Sequence, residues 1–98
     1  MRQVRFAARA RTDIQRIFLW IASDNLNAAE RVVLLIDDSC RELADYAERY
    51  PIFADRPKGV LRRRPVGRYN IYYGVTSGFV DIARVLHSAQ DQSEALKN

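Results

Sequence analysis

Residues 69–86 read Tyr69-Asn-Ile-Tyr-Tyr-Gly-Val75, then Thr76-Ser-Gly78, then Phe79-Val-Asp-Ile-Ala-Arg-Val-Leu86. In the first run Tyr69, Ile71, Tyr73 and Val75 occupy alternate positions, which places all four on one face of a strand. Ser77-Gly78 reads as a two-residue hairpin turn, with Gly tolerating positive φ. The second run is apolar except for Asp81 and Arg84. The pair predicts a β-hairpin with a buried face. Upstream, Gly67-Arg68 turns the chain, and Val60–Val66, rich in Arg, predicts a third strand. Residues 51–59 contain two Pro and a Gly and are expected to form a loop.

The first half has a different period. Gln3-Val4-Arg5-Phe6 alternates and predicts a short strand. Ala10, Ile14, Ile17, Phe18 and Ile21 then line one helical face. Ser23–Asn27 breaks the pattern. Asn25 suits a left-handed C-terminal position, and Asn27 suits a cap on the following helix. That helix has an apolar seam at Ala29, Val33, Ile36, Cys40, Leu43 and Ala47, widened by Val32, Leu35 and Ala44. Pro51 is expected to end it. Two helices joined by so few residues pack antiparallel, so residues 8–50 predict an αα-hairpin. The order β-α-α-β-β-β gives an α+β domain, with the helical hairpin packed on a small antiparallel sheet.

Composition narrows the function. Ninety-eight residues suit one domain, here 1–98. The longest apolar run, Ile17–Ala22, falls far short of the ~20 residues that cross a bilayer. No apolar leader follows Met1, so a cytoplasmic protein is expected. One cysteine, Cys40, cannot form an internal disulfide or a cysteine-based zinc site. No metal or cofactor is expected. Sixteen basic residues face twelve acidic ones, and fourteen of the sixteen are Arg. Residues 56–98 carry eight basic and three acidic groups, which points to an anionic partner.

Three segments together resemble the RelE/ParE superfamily of toxins from type II toxin–antitoxin modules. Ala10-Arg-Thr-Asp-Ile-Gln-Arg-Ile17 is similar to the family's Ala-x-x-Asp-Leu-x-x-Ile. Gly67-Arg-Tyr-Asn-Ile-Tyr-Tyr-Gly-Val75 is similar to its Gly-x-Tyr-x-Ile-x-Tyr-x-Val strand, and Val80-Asp-Ile-Ala-Arg-Val-Leu-His87 to its Val-x-Ile-x-Arg-Val-x-His strand. The resemblance covers nearly the whole chain. It implies one of two activities. RelE-type toxins cleave messenger RNA on the ribosome. ParE-type toxins act on DNA gyrase and are neutralised by a ParD-like antitoxin. RelE-like enzymes carry an Arg where this chain has Asn70, and a C-terminal Arg and Tyr that Ser88–Leu96 lacks. These departures favour the ParE-like branch, with operator DNA met only through the antitoxin and no membrane partner. An inactive homologue that only binds antitoxin is a further reading.

Several residues carry the candidate chemistry. Under the nuclease reading Arg62, Arg64, Arg68, Arg84 and His87 surround the phosphate, His87 being the one side chain whose ordinary pKa suits acid–base work near neutrality. Under the binding reading Trp20, Lys58, Arg62, Arg63, Arg64 and Arg68 contact the antitoxin or target. Strand alternation places Arg62 and Arg64 on one face and Arg63 on the other. Each residue also has a structural reading. Arg84, inside an apolar strand, would pair with Asp13 or Asp81. Trp20 and the Tyr69, Tyr72 and Tyr73 cluster would pack. Cys40 would be a small buried hydrophobe. Asp37, Asp38, Glu42 and Asp45 would form a solvated helix face.

Overall fold

The computed structural model of the protein describes residues 1–90. The elements are β1 (Gln3–Phe6), α1 (Ala8–Ala22), α2 (Leu26–Tyr46), β2 (Ile52–Arg56), β3 (Gly59–Val66), β4 (Tyr69–Val75) and β5 (Phe79–His87). The last twelve residues are polar, a composition that predicts a frayed end or a loose helix, and most of them lie outside the described residues. The sheet order is β1-β5-β4-β3-β2, antiparallel except for β1, which pairs with β5 in parallel. That pairing follows from the helical hairpin, which carries the chain from one edge of the sheet to the other and supplies the long crossover.

The helices cover one face of the sheet. Their core contains Ala10, Ile36, Cys40 and Leu43 from the hairpin against Ile71, Tyr73, Val80, Ile82 and Val85 from the strands, with Tyr69 and Val75 packed beside them. The alternation read in β4 is therefore the buried face. The opposite face has its own cluster, in which Leu61, Tyr72 and Leu86 are buried with Phe53, Ala54 and Ala83 against them. A register shift opposite Tyr72 and Tyr73 keeps Ile82 and Val85 on the helix side.

Four details differ from the sequence reading. The cap of α2 is Asn25, whose side chain accepts the Ala28 N–H at 3.0 Å. Its φ is −154°, extended rather than left-handed, because a residue serving as N-cap must leave its side chain free to fold back onto the first turn. Asn25→Ala is expected to lower stability by about 1 kcal/mol and Asn27→Ala by far less, as read by urea unfolding. Second, α2 ends at Tyr46, short of Pro51. The carbonyls beyond it are taken by side chains: Tyr73 Oη donates to Ala47 O at 2.8 Å, and Arg62 Nη1 to Glu48 O at 3.2 Å and Tyr50 O at 2.7 Å. Third, residues 52–56 are a strand. Pro51 and Pro57 bracket it, and an edge strand tolerates proline because half its N–H groups have no ladder partner. Fourth, Gly78 does not have positive φ. The positive values belong to Gly59 (128°) and Gly67 (57°), at the β2–β3 and β3–β4 turns. The 76–79 turn is closed instead by Thr76, whose N–H donates to Phe79 O and whose Oγ1 accepts the Phe79 N–H.

Candidate functional site

The basic residues that the sequence groups into one patch are dispersed by the fold. Arg62 and Arg64 share the helix-facing side of β3, as alternation requires. Both are engaged there. Arg62 holds the two carbonyls after α2. Arg64 donates to Ser39 O at 2.7 Å and pairs with Glu42 at 2.7 Å, so Glu42 is not simply a solvated acid. Arg63 faces the other way, 5.0 Å above the Phe53 ring. Beside it burial pushes the Tyr72 phenol up, and the Arg63 guanidinium opposes that shift. Lys58 lies in the exposed turn before β3.

Arg84 is the most tightly held. Its Nε and Nη2 reach the two oxygens of Asp13 at 2.8 and 3.0 Å, and the Val85 N–H donates to the same carboxylate at 3.0 Å. Asp13 is buried on α1, so this pair bolts α1 to β5. The bond to Asp13 raises the Arg84 pKa above its ordinary value. Asp81 pairs instead with Arg5 at 2.7 Å.

What the tertiary structure does assemble is a cleft at one end of the sheet. It has a volume of about 430 Å³ and lies between the second half of α1, α2 and the β3–β4 turn. Trp20, Tyr69, His87 and Arg68 line it together with the aliphatic Val32, Leu35, Ile36 and Val66, of which Ile36 and Val66 are buried and Leu35 is exposed. A smaller adjoining recess shares the three aromatic residues and adds Arg16 and Ile17. Trp20 is 80% exposed, which rules out core packing. Tyr69 and His87 meet edge to face, 5.3 Å between centroids, whereas Tyr72 and Tyr73 are fully buried. Arg16 was not legible as a site residue. Its signal was the spacing of four between Arg16 and Trp20, which stacks them on one helical face.

Two potential reactive groups are accounted for. His87 Nδ1 accepts the Ala89 N–H at 3.0 Å, so a neutral ring carries its proton on Nε2. A general base needs an unshared pair turned to the substrate, and here that pair is spent on the backbone. Cys40 is fully buried, and burial pushes its thiol up to about 12. It is expected to resist thiol reagents at pH 8 in the native protein and to react fully in urea. Stability should also fall as pH rises past about 9, because the unfolded chain then releases a proton that the folded chain retains.

Comparison with known proteins adds the following. The family model described as ParE toxin of the type II toxin–antitoxin system parDE matches residues 4–92. A search of curated proteins by sequence finds no match. Among solved structures, a chain of the chromosomal ParDE system from P. aeruginosa superposes with a TM-score of 0.74 at 15% identity, covering 89% of this chain and 96% of that one. A chain of the RelBE2 toxin–antitoxin complex from Mycobacterium tuberculosis gives 0.67 at 20% identity, covering 88% and 96%. YafQ from E. coli gives 0.52 at 10% identity, covering 98% and 99%. At these identities the likeness is one of fold.

Proposed function

The chain belongs to the ParE toxin family of type II toxin–antitoxin systems, and from that premise we propose that it acts by binding DNA gyrase and is neutralised by a ParD-like antitoxin. The observation that supports binding over RNA cleavage is the fate of four of the five nuclease candidates. Arg62 and Arg64 are engaged with backbone and Glu42 beside α2, Arg84 is paired with Asp13, and His87 accepts a backbone N–H. Cleaving RNA requires a base, an acid and cations converging on one phosphate. Arg62 lines a cleft with Arg2 and Glu48, whereas Arg68 and His87 line the cleft at the other end. Arg62, Arg64 and Arg84 thus serve to hold the fold.

The test is controlled expression of the chain without its antitoxin, with nucleoid DNA breaks and transcript cleavage followed together. Double-strand breaks with intact transcripts are expected. Transcripts cut on ribosomes with intact DNA would overturn the reading. His87→Ala is expected to leave growth arrest within about twofold of the parent. A tenfold or greater loss of toxicity in a variant that still folds would restore the nuclease.

A further inference from the structure

We propose that the chain pairs with a second copy of itself through the solvent-facing side of α2, the two helices lying antiparallel about a two-fold axis that passes between Leu34 and Leu35. The contact depends on neither the gyrase reading nor the antitoxin reading.

Three observations carry it. The first is exposure. Asn27, Arg31, Leu34, Asp38 and Glu42 follow one another at spacings of four, three, four and four, so they share one face of the helix, and all five are exposed. At the centre of that face Leu34 and Leu35 are 61% and 53% exposed. Their apolar surface stands in water that a partner would remove. The second is the charge on either side of them. Arg31 precedes Leu34 by three positions, and Asp38 follows Leu35 by three. Neither forms an ion pair with any described residue. Arg41, the cation three positions beyond Asp38, is bound to Asp37 at 2.9 Å. The third is the symmetry of this order. When a second α2 lies antiparallel across the axis, Arg31 of each copy faces Asp38 of the other, Asn27 faces Glu42, and the leucines of both copies meet on the axis. A two-fold contact uses one patch twice and must be self-complementary. This patch is, because opposite charges lie at equal distances from the axis. Sliding the pair by one residue, so that Leu34 sits on the axis, would set Glu30 against Asp38 and bring like charges together. In the matched register the like-charged Asp24 and Asp45 meet only at the ends of the contact, where water and salt screen them. A nucleic acid or an anionic lipid surface is a poor occupant, because Glu30, Asp38 and Asp45 on this side of α2 repel phosphates.

The experiment is sedimentation equilibrium on the purified full chain, at concentrations from about 5 to about 500 μM. A reversible dimer is expected, with a dissociation constant on the order of 10–100 μM, as suits a small contact below ~1,200 Å² in total. Leu34→Glu should weaken it by about 30-fold or more, since the new carboxylate lies against its own symmetry mate. Arg31→Asp and Asp38→Arg should each weaken it by about 10-fold, because the two-fold axis counts every lost pair twice and sets like charges opposite each other. The chain that carries both Arg31→Asp and Asp38→Arg should return to within about threefold of the parent, since the swap restores both pairs. Asp55→Lys, an exposed reversal on β2, should stay within about twofold. All of these side chains are exposed, and matching melting curves would confirm that the variants fold. A chain that stays monomeric at the highest concentration overturns the proposal. So does a dimer that Leu34→Glu leaves within about threefold of the parent, which would place the contact on another surface. Failure of the double swap to recover what the single changes lose overturns it too.

Discussion

Asp13→Ala is expected to destabilise the protein by about 3–5 kcal/mol, a large part of the ~5–15 kcal/mol that holds a domain of this size together. Removing the carboxylate strands Arg84 beneath α1 with its two strongest acceptors gone and leaves the Val85 N–H without its partner. The cost is the penalty of an uncompensated charge, not the net worth of the pair. The double variant Asp13→Leu with Arg84→Met should therefore lose less than the two single changes summed, by 1 kcal/mol or more in a cycle measured by urea unfolding. Strict additivity would mean that the two groups do not act as a unit. Arg84→Lys should recover only part of the loss, because an ammonium cannot match both carboxylate oxygens as the planar guanidinium does.

Tyr72→Ala is expected to cost about 3–5 kcal/mol, comparable with other large aromatic truncations in a closed core. Tyr72 is fully buried on the sheet face that the helices do not cover. Phe53 of β2 meets it edge to face with 4.9 Å between centroids, and Leu61 and Leu86 close around it. Because β2 is an edge strand with pairing on one side, this cluster adds to the ladder with β3 that holds it. Hydrogen exchange should show the β2 amides losing protection before those of β4 and β5. Equal loss across all strands would mean that the cluster is continuous with the helix-side core. Tyr72→Phe should cost much less, since it keeps the ring.

Much of this architecture was legible in the residues. The period of two in Tyr69–Val75 identified the core face of β4, and the four–three spacing through Ala29, Ile36, Cys40 and Leu43 identified the buried stripe of α2. These patterns are reliable because burial acts on every member of the series at once. What escaped were single-residue choices. Asn25 and Asn27 are chemically identical caps two positions apart, and the start of the helix decides between them. Pro51 and Pro57 read as loop because the sequence does not say that the segment between them lies at a sheet edge, where missing donors cost little.

The site follows the same division. The sequence determined the charge excess, the exclusion of disulfide and cysteine–zinc chemistry, the alternation of Arg62, Arg63 and Arg64, and the family motifs. Only the tertiary structure decided which arginines are used up in holding the fold. Arg64 and Glu42 are 22 positions apart, and no local spacing encodes that pair; Arg84 was expected to meet Asp13 or Asp81, and packing chose Asp13, 71 positions away. The same packing brought Trp20, Arg68, Tyr69 and His87 from three separate segments to one cleft, with Arg16 in the recess beside it. A side chain's charge is fixed by its covalent structure, but whether that charge remains available to a partner depends on which neighbours the folded chain places within hydrogen-bonding reach.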